Sequence, residues 1–385
     1  MSTTKSSAIS PLKFRHRLGR VALLLLGMSC LITGIWGGLL RVPIALPLPV
    51  NHANWISFHG PLMVCGFLGT LISLERAVGL RSLWTYLVPL LTGVSAVAIA
   101  AGVFAPWPRW TLTAGSTLFV VVSIRILFIQ PNLSNTVMAL GAVAWTTGNL
   151  LWKFGFEIPQ VVLWWLAFLL LIIVGERIEL TRFQKPSPVS KPWLATALVL
   201  LGAGLALGWN SPRVGAVLAG IALLALVTWL FRFDLAWRTI RHPGLPRFMA
   251  ICLLSGHVWL TITSLLVAIK WPQSAGVIYD ATLHAFFVGF VFAMIFGHAP
   301  VIFPAVLGLP VQFRWTAYIP LAVLHVSLML RLLGDLANLP AIRTWGAAGN
   351  AAAVGLFLLN TVVSILLGNV RQPLLISAKP GQGAN

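Results

Sequence analysis

Long apolar runs dominate this sequence and restrict its fold more than any other feature does. Twelve runs of about 17 to 24 residues succeed one another along the chain, close to the roughly 20 residues that cross a bilayer as a helix. Backbone N–H and C=O groups find no water in the hydrocarbon core, so such runs are expected to be helical. The sequence therefore predicts an all-α, polytopic membrane protein of about twelve transmembrane helices. The predicted helices cover residues 21–40, 55–74, 84–105, 110–129, 135–152, 160–178, 192–208, 212–231, 247–269, 279–298, 316–334 and 344–367.

Composition and charge agree with a membrane location. The chain is 58% hydrophobic and only 9% charged, whereas a soluble domain has about 25% charged residues. The net charge of +19 comes from 26 Lys and Arg that occupy short loops between apolar runs. This distribution indicates membrane topology and affinity for anionic lipid headgroups, and it gives no reason to expect nucleic acid as a partner.

The distribution of basic residues also predicts the orientation. With an even number of spans, 19 of the Lys and Arg fall on the side of the two termini and seven on the other side. The positive-inside rule then places both termini in the cytoplasm, in a bacterial-type inner membrane. The predicted organisation is a cytoplasmic basic tail over residues 1–20, one twelve-helix domain over residues 21–368, and a cytoplasmic tail over residues 369–385. The first run is long enough to span, so we interpret it as an uncleaved helix. The cysteines at positions 30, 65 and 252 lie within apolar runs and are expected to be buried packing residues.

Three of the predicted helices share a short pattern. The second, sixth and tenth helices align without gaps as GFLGTLISLER from Gly66, AFLLLIIVGER from Ala167 and GFVFAMIFGHA from Gly289. The aligned helices are four apart in order, which suggests three pseudo-repeated four-helix units.

The aligned windows bring Glu75, Glu176 and His298 to equivalent positions at one membrane surface. One interpretation is a set of interfacial ion pairs with Arg76 and Arg177. The other is a proton-handling or metal-binding cluster, because ionisable groups inside a membrane are costly and usually face a cavity.

Five histidines lie in or beside apolar helices, which is more than packing alone leads one to expect. The second and tenth helices run in the same direction, so His59 and His284 are both expected near the outer surface. Two imidazoles from facing helices are the usual axial ligands of a haem in a helix bundle, which makes haem b the expected cofactor. The histidines His257, His298 and His325 remain candidates for a second metal site or for packing.

A second polar group is predicted near the same surface. Arg331 and Asp335 are four residues apart on the eleventh helix, and Asp280 opens the tenth. The spacing predicts a helical ion pair between Arg331 and Asp335. The alternative is that Arg331 binds the propionates of a haem.

Three segments of the chain resemble membrane proteins related to subunit I of the haem-copper oxidases, and the NnrS family in particular. These are HGPLM from His59 together with Gly66-Phe67, HAFFVGF from His284, and MIFGH ending at His298. The resemblance implies twelve helices in three sets of four and haem-ligating histidines on helices two and ten, which correspond here to His59 and His284.

The chain also departs from that pattern. It has no histidine between His59 and His242, so the three-histidine copper site of the oxidases cannot form in its usual place. Pro61 stands where NnrS proteins carry the second histidine of a pair, although copper remains a possible cofactor. The expectation is a haem-binding membrane protein of electron transfer or of the nitric oxide response, with a diatomic gas or a redox protein as partner. A proton-coupled secondary transporter is the alternative, and the residues do not decide whether the protein is an enzyme.

Overall fold

The computed structural model describes residues 11–103, 105–181, 187–309 and 311–377, and every regular element in those ranges is a helix. Twelve long helices follow the order of the apolar runs. They are α1 Pro11–Leu39, α2 His59–Leu80, α3 Leu83–Ala100, α4 Trp107–Ile129, α5 Leu133–Lys153, α6 Ile158–Thr181, α7 Ser190–Leu207, α8 Pro212–Phe233, α9 Leu245–Lys270, α10 from Val277–His284 through Ala285–Phe292 to Ala293–Leu307, α11 Tyr318–Leu336 and α12 Pro340–Ser377.

The prediction of an all-α, multi-pass membrane protein is confirmed. Among the described residues, eleven helices are both long enough and apolar enough to cross a membrane. Helix α5 is the exception: it has 21 residues, a spanning length, but its lower hydropathy keeps it out of this group. Its buried face includes Ser134, Asn135 and Asn149, which lie inside the bundle and away from lipid. The threefold repeat and the orientation of the termini stay predictions.

The ends of several helices differ from the predicted runs. Helix α3 ends at Ala100 rather than at residue 105, and α12 extends to Ser377 rather than ending at residue 367. Helix α1 begins at Pro11, so half of the predicted basic tail is helical; residues 1–10 and 378–385 of the two predicted tails lie outside the described residues. Helix α10 was expected to end at His298 but continues to Leu307 through Pro300 and Pro304. Proline is tolerated inside transmembrane helices because neighbouring groups compensate for the lost N–H.

Consecutive helices pack as neighbours along most of the chain, as short loops require. Helix α1 also contacts α10 and α12, which are distant in sequence, and so helps to bring the two ends of the chain together. Small residues allow close approach at two positions that matter for the site. Gly66 of α2 lies directly against Cys30 of α1, and Gly289 of α10 lies against Trp259 of α9. All three cysteines are buried and free, as expected.

Candidate functional site: a cavity between two parallel imidazoles

A cavity of about 310 Å³ lies at one end of the bundle, between α1, α2, α6, α10, α11 and α12. Both sequence-predicted haem ligands, His59 and His284, line it. Much of the wall is apolar, with contributions from Val162 of α6 and Val354 of α12, whereas Arg331 contributes a cation. We call this end of the bundle the cavity end. The volume is at the lower limit of the roughly 300 to 1,000 Å³ that is usual for ligand sites.

His59 opens α2 and is held by α1. Its Nδ1 is 2.6 Å from the carbonyl oxygen of Gly34, one helical turn before Gly38. The absence of a side chain at Gly38 lets the imidazole lie against the backbone of α1, since a Cβ there would come within 2.8 Å of the ring carbon Cε1. A carbonyl can only accept a hydrogen bond, so Nδ1 carries the proton and Nε2 keeps its lone pair.

His284 is held by its own helix. Its Nδ1 is 2.8 Å from the main-chain carbonyl of Asp280, one turn earlier, and 3.3 Å from the carboxylate atom Oδ1 of the same residue. The same argument places the proton on Nδ1 and the lone pair on Nε2. Metal-bound histidines characteristically donate their other ring N–H to a carbonyl or a carboxylate in this way.

The two imidazoles face each other as a nearly parallel pair. Their ring centres are 6.3 Å apart and their planes differ by 10°. Each ring uses Nδ1 for its hydrogen bond, and no hydrogen bond from the described residues reaches Nε2 of either ring. The sequence-based expectation that His59 and His284 share one level is therefore met by the geometry.

Both helices change their winding just after the histidine. Residues Leu62–Leu68 of α2 and Ala285–Phe292 of α10 form π-helix, in which one extra residue per turn shifts the side chains that follow. The aligned glycines Gly66 and Gly289 occupy the same, fifth position of the two π segments. Such segments are frequent at functional sites. Helix α6, the third aligned helix, is α-helical throughout.

The predicted ion pair between Arg331 and Asp335 is wrong. Arg331 forms two hydrogen bonds of 2.8 and 2.9 Å with the carboxylate of Asp280, and Asp335 pairs with Arg343 at 3.0 Å. Arg343 also lies 3.8 Å from Asp280. The reason is that α10 and α12 both meet α11 at this end, so partners from other helices are closer than the next turn. Arg331 consequently lies at the cavity but already has an anionic partner.

One polar residue of the site, Asn350, was not identified from the sequence, and the role of another, Asp280, was missed. Asp280 was noted but not connected with His284, although their spacing of four residues places both on one helix face. Asn350 of α12 lines the cavity, is 6% exposed, and has no hydrogen-bond partner for either amide atom within the described part of the chain. Its only sequence signal is an amide in a run of Gly and Ala.

The opposite end of the bundle, which we call the ionic end, carries the other predicted cluster, Glu75, Glu176 and His298, together with Arg76, Arg177 and Asp234. Arg76 pairs with Glu176 at 2.8 Å, and Arg177 pairs with Asp234 at 3.1 Å. These contacts agree with the interpretation of ion pairs with Arg76 and Arg177, although Arg177 takes a partner from outside the predicted cluster. Asp234 was missed; a single acid within the basic segment after α8 was the available signal.

The structure brings the three predicted residues of this cluster within electrostatic range of one another. Glu75 interacts with Glu176, and Glu176 with His298. His298 has both ring nitrogens occupied, because Nδ1 lies 2.7 Å from the Met294 carbonyl and Nε2 lies 3.1 Å from Nη1 of Arg177. Arginine only donates, so Nε2 must accept and this histidine is neutral.

The remaining candidates, His257 and His325, lie apart from the cavity lining. His325 accepts a hydrogen bond from Trp259 at 2.9 Å and lies 2.9 Å from the hydroxyl of Ser255, which is a packing role. His257 is fully buried beside Phe231, and neither of its ring nitrogens has a partner in the described chain. No group of three His, Cys, Asp or Glu suited to a metal ion occurs within the described ranges.

The fold and the cavity together define a multi-pass helical membrane protein with a paired-histidine site between its second and tenth helices. The chain belongs to the family described as domain of unknown function DUF8744, which matches residues 20–366. That match includes every residue of the cavity named above. No curated protein matches the chain.

Proposed function

We propose that this protein binds a b-type haem between His59 and His284 and acts in electron transfer or in the response to nitric oxide, as the resemblance to the NnrS family implies. The observation that carries the proposal is the imidazole pair, with ring centres 6.3 Å apart and planes within 10°. His59 and His284 would hold the haem iron through Nε2, the ring nitrogen that no hydrogen bond reaches in the described structure.

The ligand count favours haem over a bare metal ion. Two imidazole nitrogens leave a Cu or Zn ion short of protein ligands, and no third His, Cys, Asp or Glu joins the pair among the described residues. A porphyrin brings four nitrogens of its own and needs only two from the protein. Copper therefore receives less support than haem.

The surrounding residues suit a large apolar cofactor with an acidic edge. When bound, a haem supplies one-electron redox chemistry and affinity for diatomic gases. Apolar groups such as Val162 and Val354 keep water from the site, which affects redox potential. Arg331 offers a positive group at the wall of the cavity, although Asp280 already pairs with it.

An optical spectrum of the purified, dithionite-reduced protein tests the proposal. We expect sharp α and β bands of a low-spin haem, and we expect them to disappear in both His59→Ala and His284→Ala because low-spin iron needs both ligands. The matched control is His325→Ala, which removes a membrane histidine that does not line the cavity and is expected to keep the bands. A folded wild-type protein without Soret absorption, after supply of haem, contradicts the proposal.

The alternative, a proton-coupled transporter using Glu75, Glu176 and His298, receives less support. A coupling group must gain and lose protons, whereas Glu176 is paired with Arg76 and His298 is fixed in its neutral form by Arg177. Of the three residues, Glu75 alone shows neither an ion pair nor a hydrogen bond with an arginine in the described structure.

A further inference from the structure

The two imidazoles of the site are held with different strength. The N–H of His284 faces both the Asp280 carbonyl and the Asp280 carboxylate, and two hydrogen bonds from Arg331 keep that carboxylate in place. The N–H of His59 faces one neutral carbonyl, that of Gly34. A carboxylate next to the N–H makes the opposite nitrogen a better electron donor to a metal.

The backbone is also more regular before His284 than before His59. His284 is the last residue of the regular α segment Val277–His284. His59 follows Phe58, whose φ of −106° and ψ of 18° interrupt the helix between His52–Ser57 and α2. Pro61 lies two residues further on, and it cannot donate a backbone hydrogen bond. His59 thus lies next to a break between helical segments, in a turn where Pro61 removes one backbone donor.

We propose that His59 is an exchangeable ligand and that a small neutral diatomic gas binds in its place, while His284 remains bound. The inference rests on the proposed haem site and adds which of the two histidines is displaced and on which side of the cofactor the gas binds. In the exchange, the Nε2 lone pair of His59 leaves the metal and a lone pair of the gas takes its place. The His59 N–H stays on the Gly34 carbonyl, so neither a proton nor an electron is transferred.

The cavity wall near His59 suits such a ligand. Gly60, Met63 and Val64 follow His59 along α2 and line the cavity with it. These three residues offer no charged group, although Arg41 lines the same cavity. An apolar surface admits an uncharged gas far more readily than an anion or a hydrated cation. A Cβ built on Gly60 would have only one neighbouring atom within 4 Å, at a distance of 4.0 Å.

Carbon monoxide is the probe for this inference, used with the purified full-length protein reduced by dithionite. We expect His59→Ala to retain haem and to bind carbon monoxide at least tenfold more tightly than the wild type, because the competing imidazole is gone. We expect His284→Ala to lose at least tenfold in haem affinity, in line with the roughly 10- to 100-fold losses that follow removal of supporting groups at metal sites. If either alanine variant does not fold, His59→Gln and His284→Gln give the same comparison with side chains closer in size.

The Asp280→Asn variant tests the cause of the asymmetry. It keeps the main-chain carbonyl but removes the negative charge, so we expect haem affinity to fall. When Asp280→Asn is combined with His59→Ala or with His284→Ala, we expect the difference in haem affinity between the two histidine variants to become smaller. Equal haem loss in the two histidine variants, or greater loss in His59→Ala, overturns the inference even when the wild type shows a haem spectrum. Absence of Soret absorption in the wild type instead contradicts the proposed function itself.

Discussion

The ion pair between Arg177 and Asp234 at the ionic end offers the sharpest prediction about stability. The two side chains are 4% and 0% exposed, and the atoms Nε and Oδ2 are 3.1 Å apart. Asp234→Asn removes the charge but keeps an oxygen at the Oδ1 position, which accepts a hydrogen bond from the N–H of Ala236 at 2.8 Å. The variant therefore isolates the loss of one partner of a buried pair, which costs about 3–5 kcal/mol because the other charge stays buried without compensation.

The same end of the bundle supplies the matched control. Arg76 and Glu176 are 22% and 26% exposed at a distance of 2.8 Å, so water screens this pair and Glu176→Gln is expected to cost about 1 kcal/mol or less. The assay is equilibrium unfolding in mixed detergent micelles, with both variants compared with the wild type. Equal costs for Asp234→Asn and Glu176→Gln would refute the argument from burial. Adding Arg177→Met to Asp234→Asn should cost less than the sum of the two single changes, because no charge is then left unpaired.

Two further predictions concern the cavity end. At position 38 an alanine Cβ would come within 2.8 Å of the His59 ring, so Gly38→Ala should displace the imidazole and weaken the low-spin α and β bands. The control Gly79→Ala has open space around its Cβ and should leave the bands unchanged. Equal spectra for these two variants would count against the proposed role of Gly38. Asn350→Leu should stabilise the haem-free protein by about 1–3 kcal/mol in thermal or detergent unfolding, since it removes a buried amide without a partner. Asn149→Leu should destabilise the protein, because the Asn149 oxygen accepts hydrogen bonds from two other helices. A stabilised Asn149→Leu variant would show that the presence or absence of hydrogen-bond partners for the amide does not explain the change in stability.

The helices were predictable because membrane insertion acts on local sequence. A run of apolar residues of spanning length has few alternatives to a helix in hydrocarbon, so all twelve runs are helical in the structure. Helix α5 shows the limit of this argument. Its polar residues lower its hydropathy, yet Asn149 lies inside the bundle and accepts a hydrogen bond from Trp165 at 3.0 Å. Hydropathy sums over a helix and does not distinguish a lipid-facing side from a protein-facing one.

The candidate site was only half predictable. Helix direction and depth were enough to bring His59 and His284 to one level, because the rise per residue is the same in every α-helix. The π segments after both histidines were not foreseen, since a change of winding over seven or eight residues leaves no distinct mark in an apolar run. The partner that orients His59, the Gly34 carbonyl, is a backbone group of another helix and has no sequence signature.

The sequence by itself determined that this chain is a multi-pass bundle of helices, and it singled out the two histidines that face each other. Only the tertiary structure decided which charges pair. The predicted partner of Arg331, Asp335 on the next turn, was wrong, and the acids that pair with Arg331 and Arg177, Asp280 and Asp234, come from other parts of the chain. The physical reason is that hydrophobic length is a local property that each helix satisfies alone, whereas a buried charge must find compensation wherever helix packing brings an opposite charge. The same packing placed a carboxylate beside one imidazole and a neutral carbonyl beside the other, and the proposed difference between His284 and His59 depends on it.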